Sequence, residues 1–261
     1  MKLLVKLGGT LLDADATRES LARQIASIAR GASLVIVHGG GRQMTRYLTE
    51  RGIQSRFVDG LRVTTPEVLD AVIKVVAGSV NRQLVAALNE AGARAVGISG
   101  IDAGLVVAEP MNPSLGAVGR VVGADPALLD ALLSAGFLPV AACVAGDRQG
   151  RLYNVNADQM AAACAVAFGA DQLVFLTDVE GVLDAHRRPL PQLTLAGSEA
   201  LIAAGAATGG MLAKLNAAQA ALRQGVPRVH IVSGAVDRIL ERIAAGEEVG
   251  TRLLAGAVLT P

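Results

Sequence analysis

Short aliphatic runs at residues 3–7, 34–37, 95–98, 138–143, 173–176 and 228–232 alternate with longer stretches of helical pattern. The helical stretches lie at 16–29, 42–51, 67–90, 127–135, 158–168, 198–204, 210–224 and 236–244. Runs this short and mostly apolar suit strands covered on both faces, and strands separated by helices argue βαβ units in a mostly parallel sheet. Only 2% of residues are aromatic and Trp is absent, while 52% are hydrophobic. Small aliphatics must therefore build the core, under alanine-rich helices. At 261 residues the chain suits one large domain or two tightly joined lobes.

Composition also sets aside several function classes. The net charge of +1 advertises neither a nucleic-acid nor a membrane-surface partner. The longest uncharged apolar run, 131–146, is shorter than the ~18 residues of a spanning helix and contains Gly136 and Pro139. The first residues alternate and then reach glycines, unlike a secretory leader, so a cytoplasmic protein is expected. Cys143 and Cys164 sit inside apolar runs and read as buried free thiols.

Doubly wound sheets bind ligands at the carboxyl ends of their strands. Two glycine clusters lie there: Lys6-Leu7-Gly8-Gly9-Thr10 after the first run, and His38-Gly39-Gly40-Gly41 after the second. Glycines let backbone approach a ligand, and a helix N-terminus behind them favours an anion, phosphate being the natural guest. Ordinary tight turns remain the alternative. No Gly-Lys dipeptide occurs, so there is no P-loop, and neither turn carries G-x-G-x-x-G.

Lysine usage narrows the search. Of 24 basic residues only Lys2, Lys6, Lys74 and Lys214 are lysine. Lys6 abuts the first glycine turn, and Lys214 follows Gly209-Gly210-Met211 near a helix start. A compact ammonium can follow a moving phosphoryl group. Asp158, in Asn154-Val155-Asn156-Ala157-Asp158, is either a helix cap or an acceptor that holds ammonium groups; Asn154 would then bind a substrate. Arg62 reads as a bidentate clamp on a carboxylate or as a solvated loop residue. Asp178 ends another strand and either positions a ligand or caps a turn. His38 reads as a positioning residue beside the glycines. His186 and His230 have no partner at ligand spacing, and no metal-binding residue is assigned.

Taken in order, KLGGT, HGGG, GLRVT, NVNAD, LTDVEGVLD, TGGMLAK and GTRLL resemble the amino acid kinase family over nearly the whole chain. The likeness is strongest to members that phosphorylate N-acetyl-L-glutamate. The resemblance implies a three-layer αβα sandwich with an open, mostly parallel central sheet. It implies an N-terminal lobe, 1–169, for the acyl-amino acid and dimerisation, and a C-terminal lobe, 170–261, for ATP with Mg²⁺ held mainly by its phosphates. By the same resemblance Lys6 contacts the transferred phosphoryl, Lys214 stabilises the leaving phosphate, and Asp158 organises both lysines. Gly8, Gly9, Gly39 and Gly40 surround phosphate and substrate. Arg62 and Asn154 grip the N-acetyl-L-glutamate carboxylates, and Asp178, Gly209 and Met211 belong to the nucleotide side.

Other acceptors on the same scaffold are glutamate, N-succinylglutamate and carrier-linked aminoadipate; a non-catalytic nucleotide-binding protein is a further alternative. Two departures stand out. The sequence starts almost at its first strand, without the helix that builds arginine-inhibited hexamers in similar enzymes, so an unregulated homodimer is expected. Gly209-Gly210 also stand where some relatives carry an acidic residue.

Overall fold

A computed structural model of the chain describes residues 1–184 and 186–256. The six aliphatic runs become β1 (Lys2–Leu7), β2 (Ser33–His38), β5 (Ala95–Ser99), β8 (Leu138–Ala142), β11 (Gln172–Thr177) and β13 (Arg228–Ser233). With β12 (Gln192–Thr194) and β14 (Thr251–Leu254) they form one eight-stranded sheet, ordered β12-β14-β13-β11-β1-β2-β8-β5. Every neighbouring pair is parallel except β13–β14. Beyond their first residue β1, β2 and β13 are wholly buried, as is all of β11. That continuity means helices cover both faces. One group is α1 (Asp15–Ala29), α4 (Asn81–Glu90) and α9 (Ile239–Ala244); a second is α6 (Ala157–Phe168), α7 (Leu195–Ala203) and α8 (Gly209–Arg223). The remaining helices are α2 (Gly41–Glu50), α3 (Pro66–Val72) and α5 (Ala127–Ser134). The result is the αβα sandwich that the sequence leads one to expect.

Three features depart from the sequence pattern. The single helix predicted over 67–90 is divided: α3 and α4 flank a π-helical stretch, Ile73–Val80. Thr65 starts α3 by accepting a hydrogen bond from the Val68 N–H, with Pro66 in the first turn. By length and composition Pro66–Glu90 is apolar enough to cross a membrane, but 44% of its most apolar window is buried inside the protein. It behaves as a core helix, with Val68, Val72, Val76 and Leu84 in the interior. The helix predicted over 236–244 begins only at Ile239, because Arg238 is left-handed (φ 50°).

The third departure is a small closed barrel of β6 (Val106–Pro110), β7 (Val118–Ala124), β9 (Val144–Gly146) and β10 (Leu152–Val155). It positions the site, because β10 feeds directly into α6. A hairpin, β3 (Phe57–Val58) and β4 (Leu61–Arg62), turns through Asp59 and Gly60, both at positive φ. Two such residues make the two-residue turn whose twist matches paired strands.

Candidate active site

The carboxyl ends of β1 and β2 lie side by side, with Leu7 opposite His38. Their two glycine turns touch. A Cβ on Gly9 would come within 3.0 Å of the Gly41 nitrogen, and Gln43 Nε2 donates to the Gly9 carbonyl at 3.0 Å. A Cβ on Gly40 would come within 3.1 Å of Val76 Cγ2 in the π-helical stretch. The turns are thus packed to a spacing that side chains would force apart.

On the neighbouring helices, Asn156 caps α6 by accepting from the N–H groups of Asp158 (2.9 Å) and Gln159 (3.1 Å). The cap is therefore Asn156, and the Asp158 carboxylate is left for other work. Lys6 reaches it at 2.6 Å (Nζ–Oδ1), and Lys214, from the packed helix α8, at 3.6 Å (Nζ–Oδ2). The Lys6 and Asp158 side chains are each 7% exposed and Lys214 is 14% exposed. Burial pulls the Lys214 ammonium below its usual range; Asp158 pulls it back, and Lys6 adds to the lowering. Two cations share one buried carboxylate, an arrangement that invites a further anion.

Lys6 and Asp158 open onto a cavity of about 240 Å³, which Gly9, Gly39, Gly40, Arg62 and Asn154 also line. Arg62 is no solvated loop residue. It is 9% exposed, donates to Ser55 Oγ, Thr45 Oγ1 (2.8 Å) and the Gly41 carbonyl (3.2 Å), and lies 4.6 Å from the centre of the Phe57 ring. Asn154 Nδ2 donates to Thr64 Oγ1 at 3.1 Å, and Thr64 Oγ1 donates to the Arg62 carbonyl. The amide that the sequence leaves free for substrate is thus partly engaged. Cys143 also lines the cavity; burial pushes its thiol up to about 11, and that of the buried Cys164 to about 12.

Gly8, Asp178, Gly209, Met211 and Lys214 do not line this cavity. Gly8 packs its Cα side against the Leu176 carbonyl. Asp178 accepts from Thr177 Oγ1 at 3.2 Å and borders a second cleft, of about 540 Å³, with Thr10, Arg42 and Ser233. Met211 lines a third, apolar cleft of about 180 Å³ with Val179, Val182, Leu183, Leu201 and Ala207. Gly209 opens α8 at φ +51°, a conformation that favours glycine. Among the described residues no group of three or more His, Cys, Asp or Glu could hold a metal ion.

Sequence reasoning missed Thr45, Ser55, Phe57 and Thr64, the residues that hold Arg62 and Asn154. They lie on separate elements and share no spacing that would have flagged them. It also missed the partners of His38, which is fully buried, its ring pushed down to about 4 chiefly by burial. His38 Nδ1 lies 2.9 Å from the Gly39 carbonyl and Nε2 lies 2.9 Å from Asn81 Nδ2.

Comparison with known proteins adds the following. Residues 1–233 match the model of the amino acid kinase family. An acetylglutamate kinase of Solibacter usitatus is 64% identical over 97% of this chain and 99% of its own length. One from Deinococcus radiodurans is 43% identical over 97% and 100%. An N-acetylglutamate synthase from Neisseria gonorrhoeae, complexed with coenzyme A and N-acetyl-glutamate, superposes with a TM-score of 0.87 at 27% identity. That match covers 98% of this chain but only 60% of the synthase. Carbamate kinase from Giardia lamblia, bound to AMP-PNP, shares the fold with a TM-score of 0.75 at 17% identity over 98% of both chains.

Proposed function

Because the chain belongs to the amino acid kinase family, we propose that it transfers the γ-phosphoryl group of ATP to the side-chain carboxylate of N-acetyl-L-glutamate. The products are N-acetyl-L-glutamyl 5-phosphate and ADP, a step of arginine biosynthesis. The names of the Solibacter and Deinococcus relatives supply the substrate. The observation that carries the chemistry is the pair of lysines on one buried carboxylate beside a glycine-lined cavity.

The acceptor carboxylate is already ionised at neutral pH, so the reaction needs no general base. Its difficulty is charge, since an anion must approach a polyanion. Phosphoryl transfer is catalysed mainly by positioning and by electrostatic stabilisation of the spreading charge. In this reading the carboxylate attacks the γ-phosphorus in line. Lys6 follows the transferred phosphoryl, and Lys214 neutralises the charge left on ADP. Asp158 keeps both ammoniums aimed at that charge. Backbone at Gly8, Gly9, Gly39 and Gly40 surrounds the phosphates; the N–H groups of Gly8 and Gly39 already donate to the Leu176 and Leu7 carbonyls, which leaves those of Gly9 and Gly40 as the donors. Arg62, with Asn154, holds a carboxylate of N-acetyl-L-glutamate, its guanidinium fixed by Ser55, Thr45 and the Gly41 carbonyl. Asp178, Gly209 and Met211 serve the nucleotide, for which the apolar cleft beside Met211 suits a flat ring.

Mg²⁺ commonly keeps several waters and binds through substrate phosphates and one or two carboxylates. The donor set here suits that arrangement: Asp158 is occupied by two lysines, and Asp178 and Asp237 are carboxylates lining the cleft that Thr10, Arg42 and Ser233 border. Bound with ATP, the ion would neutralise phosphate charge. The reading also assigns 1–169 to the acyl-amino acid and dimer contacts, 170–261 to ATP, a homodimeric state, and the cytoplasm as the place of action. Light scattering giving twice the chain mass would support the dimer; the monomer mass would remove it.

The decisive assay is hydroxamate trapping with MgATP and N-acetyl-L-glutamate, run beside N-succinyl-L-glutamate and L-glutamate. The expected result is hydroxamate formed one-for-one with ADP, fastest with the acetyl compound. No hydroxamate from N-acetyl-L-glutamate overturns the proposal.

A further inference from the structure

A buried polar chain leads from the second glycine turn into the core. Its atoms can be assigned from their partners. The Val140 carbonyl can only accept, so the Asn81 side-chain atom 2.9 Å from it is the amide nitrogen. The Asn81 oxygen then faces Arg82 Nη2 at 2.6 Å, which can only donate. The same Asn81 nitrogen lies 2.9 Å from His38 Nε2 and must donate there as well. Nε2 is therefore the unprotonated nitrogen, and the proton sits on Nδ1, directed at the Gly39 carbonyl 2.9 Å away. Burial keeps the ring neutral.

The consequence lies on the other side of the peptide. The chain has no cis bonds among the described residues, so the Gly39 carbonyl and the Gly40 N–H of the same peptide point in opposite directions. Anchoring the carbonyl toward His38 turns the Gly40 N–H away from the ring. Gly39, Gly40 and Gly41 line the cavity beside Lys6 and Asp158, and His38 does not border it. Gly40 is buried, and its N–H has no partner among the described residues. A buried, unbonded N–H is costly unless a ligand takes it.

We infer that His38 is a positioning residue for phosphoryl transfer: its Nδ1–H, set by Asn81, fixes the Gly39–Gly40 peptide so that the Gly40 N–H points at the reacting anion. The inference rests on the proposed kinase reading. The register that it needs is built into the sheet. Asn81 reaches Val140 on β8 from the start of α4, and a Cβ on Gly97 of β5 would fall 2.0 Å from the Asn81 oxygen. Gly97 thus makes room for the amide that sets the tautomer.

Two substitutions separate positioning from packing. His38→Asn keeps an amide N–H near the Nδ1 position, within reach of the Gly39 carbonyl. His38→Gln puts its amide near the Nε2 position, beside Asn81, and leaves that carbonyl without its donor. Both remove ring volume, so thermal unfolding should report similar losses of stability. In the hydroxamate assay, kcat should fall by about 10² in His38→Gln, the scale of a lost transition-state donor, and less than tenfold in His38→Asn. KM for both substrates should stay within about threefold. Equal losses of kcat in the two variants, or an unchanged kcat in His38→Gln, overturn the inference. Independently, ¹⁵N spectra of histidine-labelled protein, assigned with His186→Gln and His230→Gln, should give a neutral Nδ1–H ring for His38 at pH 7. An Nε2–H or doubly protonated ring overturns it whether or not the variants fold. A wild-type chain inactive toward N-acetyl-L-glutamate would remove the kinase reading instead and leave the tautomer result standing.

Discussion

Asp158→Asn preserves side-chain shape and deletes one charge, so it isolates what the carboxylate does. Lys6, 2.6 Å away and almost wholly buried, loses its counter-ion, and Lys214 at 3.6 Å loses the group that offsets its burial. Removing one partner of a buried pair costs about 3–5 kcal/mol, because the remaining charge is left uncompensated. The penalty has a ceiling, since a lysine can shed its proton. With an ordinary pKa that costs about 4.6 kcal/mol at pH 7 and about 1.2 kcal/mol at pH 9.5. Lys214, already pulled down by burial and by Lys6, is the group that would yield. The variant should therefore be about 3–5 kcal/mol less stable than wild type at pH 7, and only about 1–2 kcal/mol less stable at pH 9.5. Urea unfolding at the two pH values measures both, and kcat at pH 7 should drop by about 10² as the ammoniums lose their aim. A variant within about 0.5 kcal/mol of wild type at pH 7, or a deficit unchanged at pH 9.5, would refute the claim that one carboxylate neutralises two buried ammoniums.

Lys6→Ala and Lys214→Ala should each lower kcat by about 10²–10³ in the hydroxamate assay; near-normal turnover in either rejects the role given to that lysine. Arg62→Ala should mainly raise KM for N-acetyl-L-glutamate, because a clamp on a non-reacting carboxylate binds ground and transition states alike; an unchanged KM removes Arg62 from the substrate. Acid should destabilise the fold through His38 and His230, each held near 4 in the folded chain, chiefly by burial, against about 6.5 when unfolded. Between those values the unfolded chain binds the extra protons, so stability falls as pH drops from about 6.5 to 4, by about 3 kcal/mol per ring. His230→Leu should flatten that slope in urea titrations, and an identical slope contradicts the account.

What could be read from the sequence divides along a physical line. The six strands of the sheet's parallel part are covered on both faces, the edge strand Ala95–Ser99 only partly, so their burial is written as mostly apolar runs that need no partner to be recognised. The barrel strands are different. Val106–Pro110 and Val118–Ala124 alternate only loosely and carry exposed residues, and Val144–Gly146 holds three residues. Their stability comes from pairing over long separations, as when Asn154 aligns with Val118, and nothing local records such a pairing. The π-helical stretch is invisible for the same reason: residues 73–80 fit an α-helical pattern, and the contact of Val76 with Gly40 belongs to the assembled core.

The site obeys the same division. Lys6, Asp158 and Lys214 stand out singly because lysine is scarce in this chain and because each sits at the junction of a strand or glycine turn with a helix. Arg62 was legible as a charge, but its three anchors lie on two other segments. The tautomer of His38 was beyond reach, since it depends on an amide 43 positions away whose own orientation depends on a carbonyl 59 positions further on. Chemistry that needs a scarce residue type at a strand end leaves a trace in the sequence. Chemistry that needs an ordinary residue held at one angle does not, because the holding is done by packing. The residues that aim the reacting groups are therefore to be sought among buried polar side chains with fully assigned partners, and His38 with Asn81 is the pair that meets that description here.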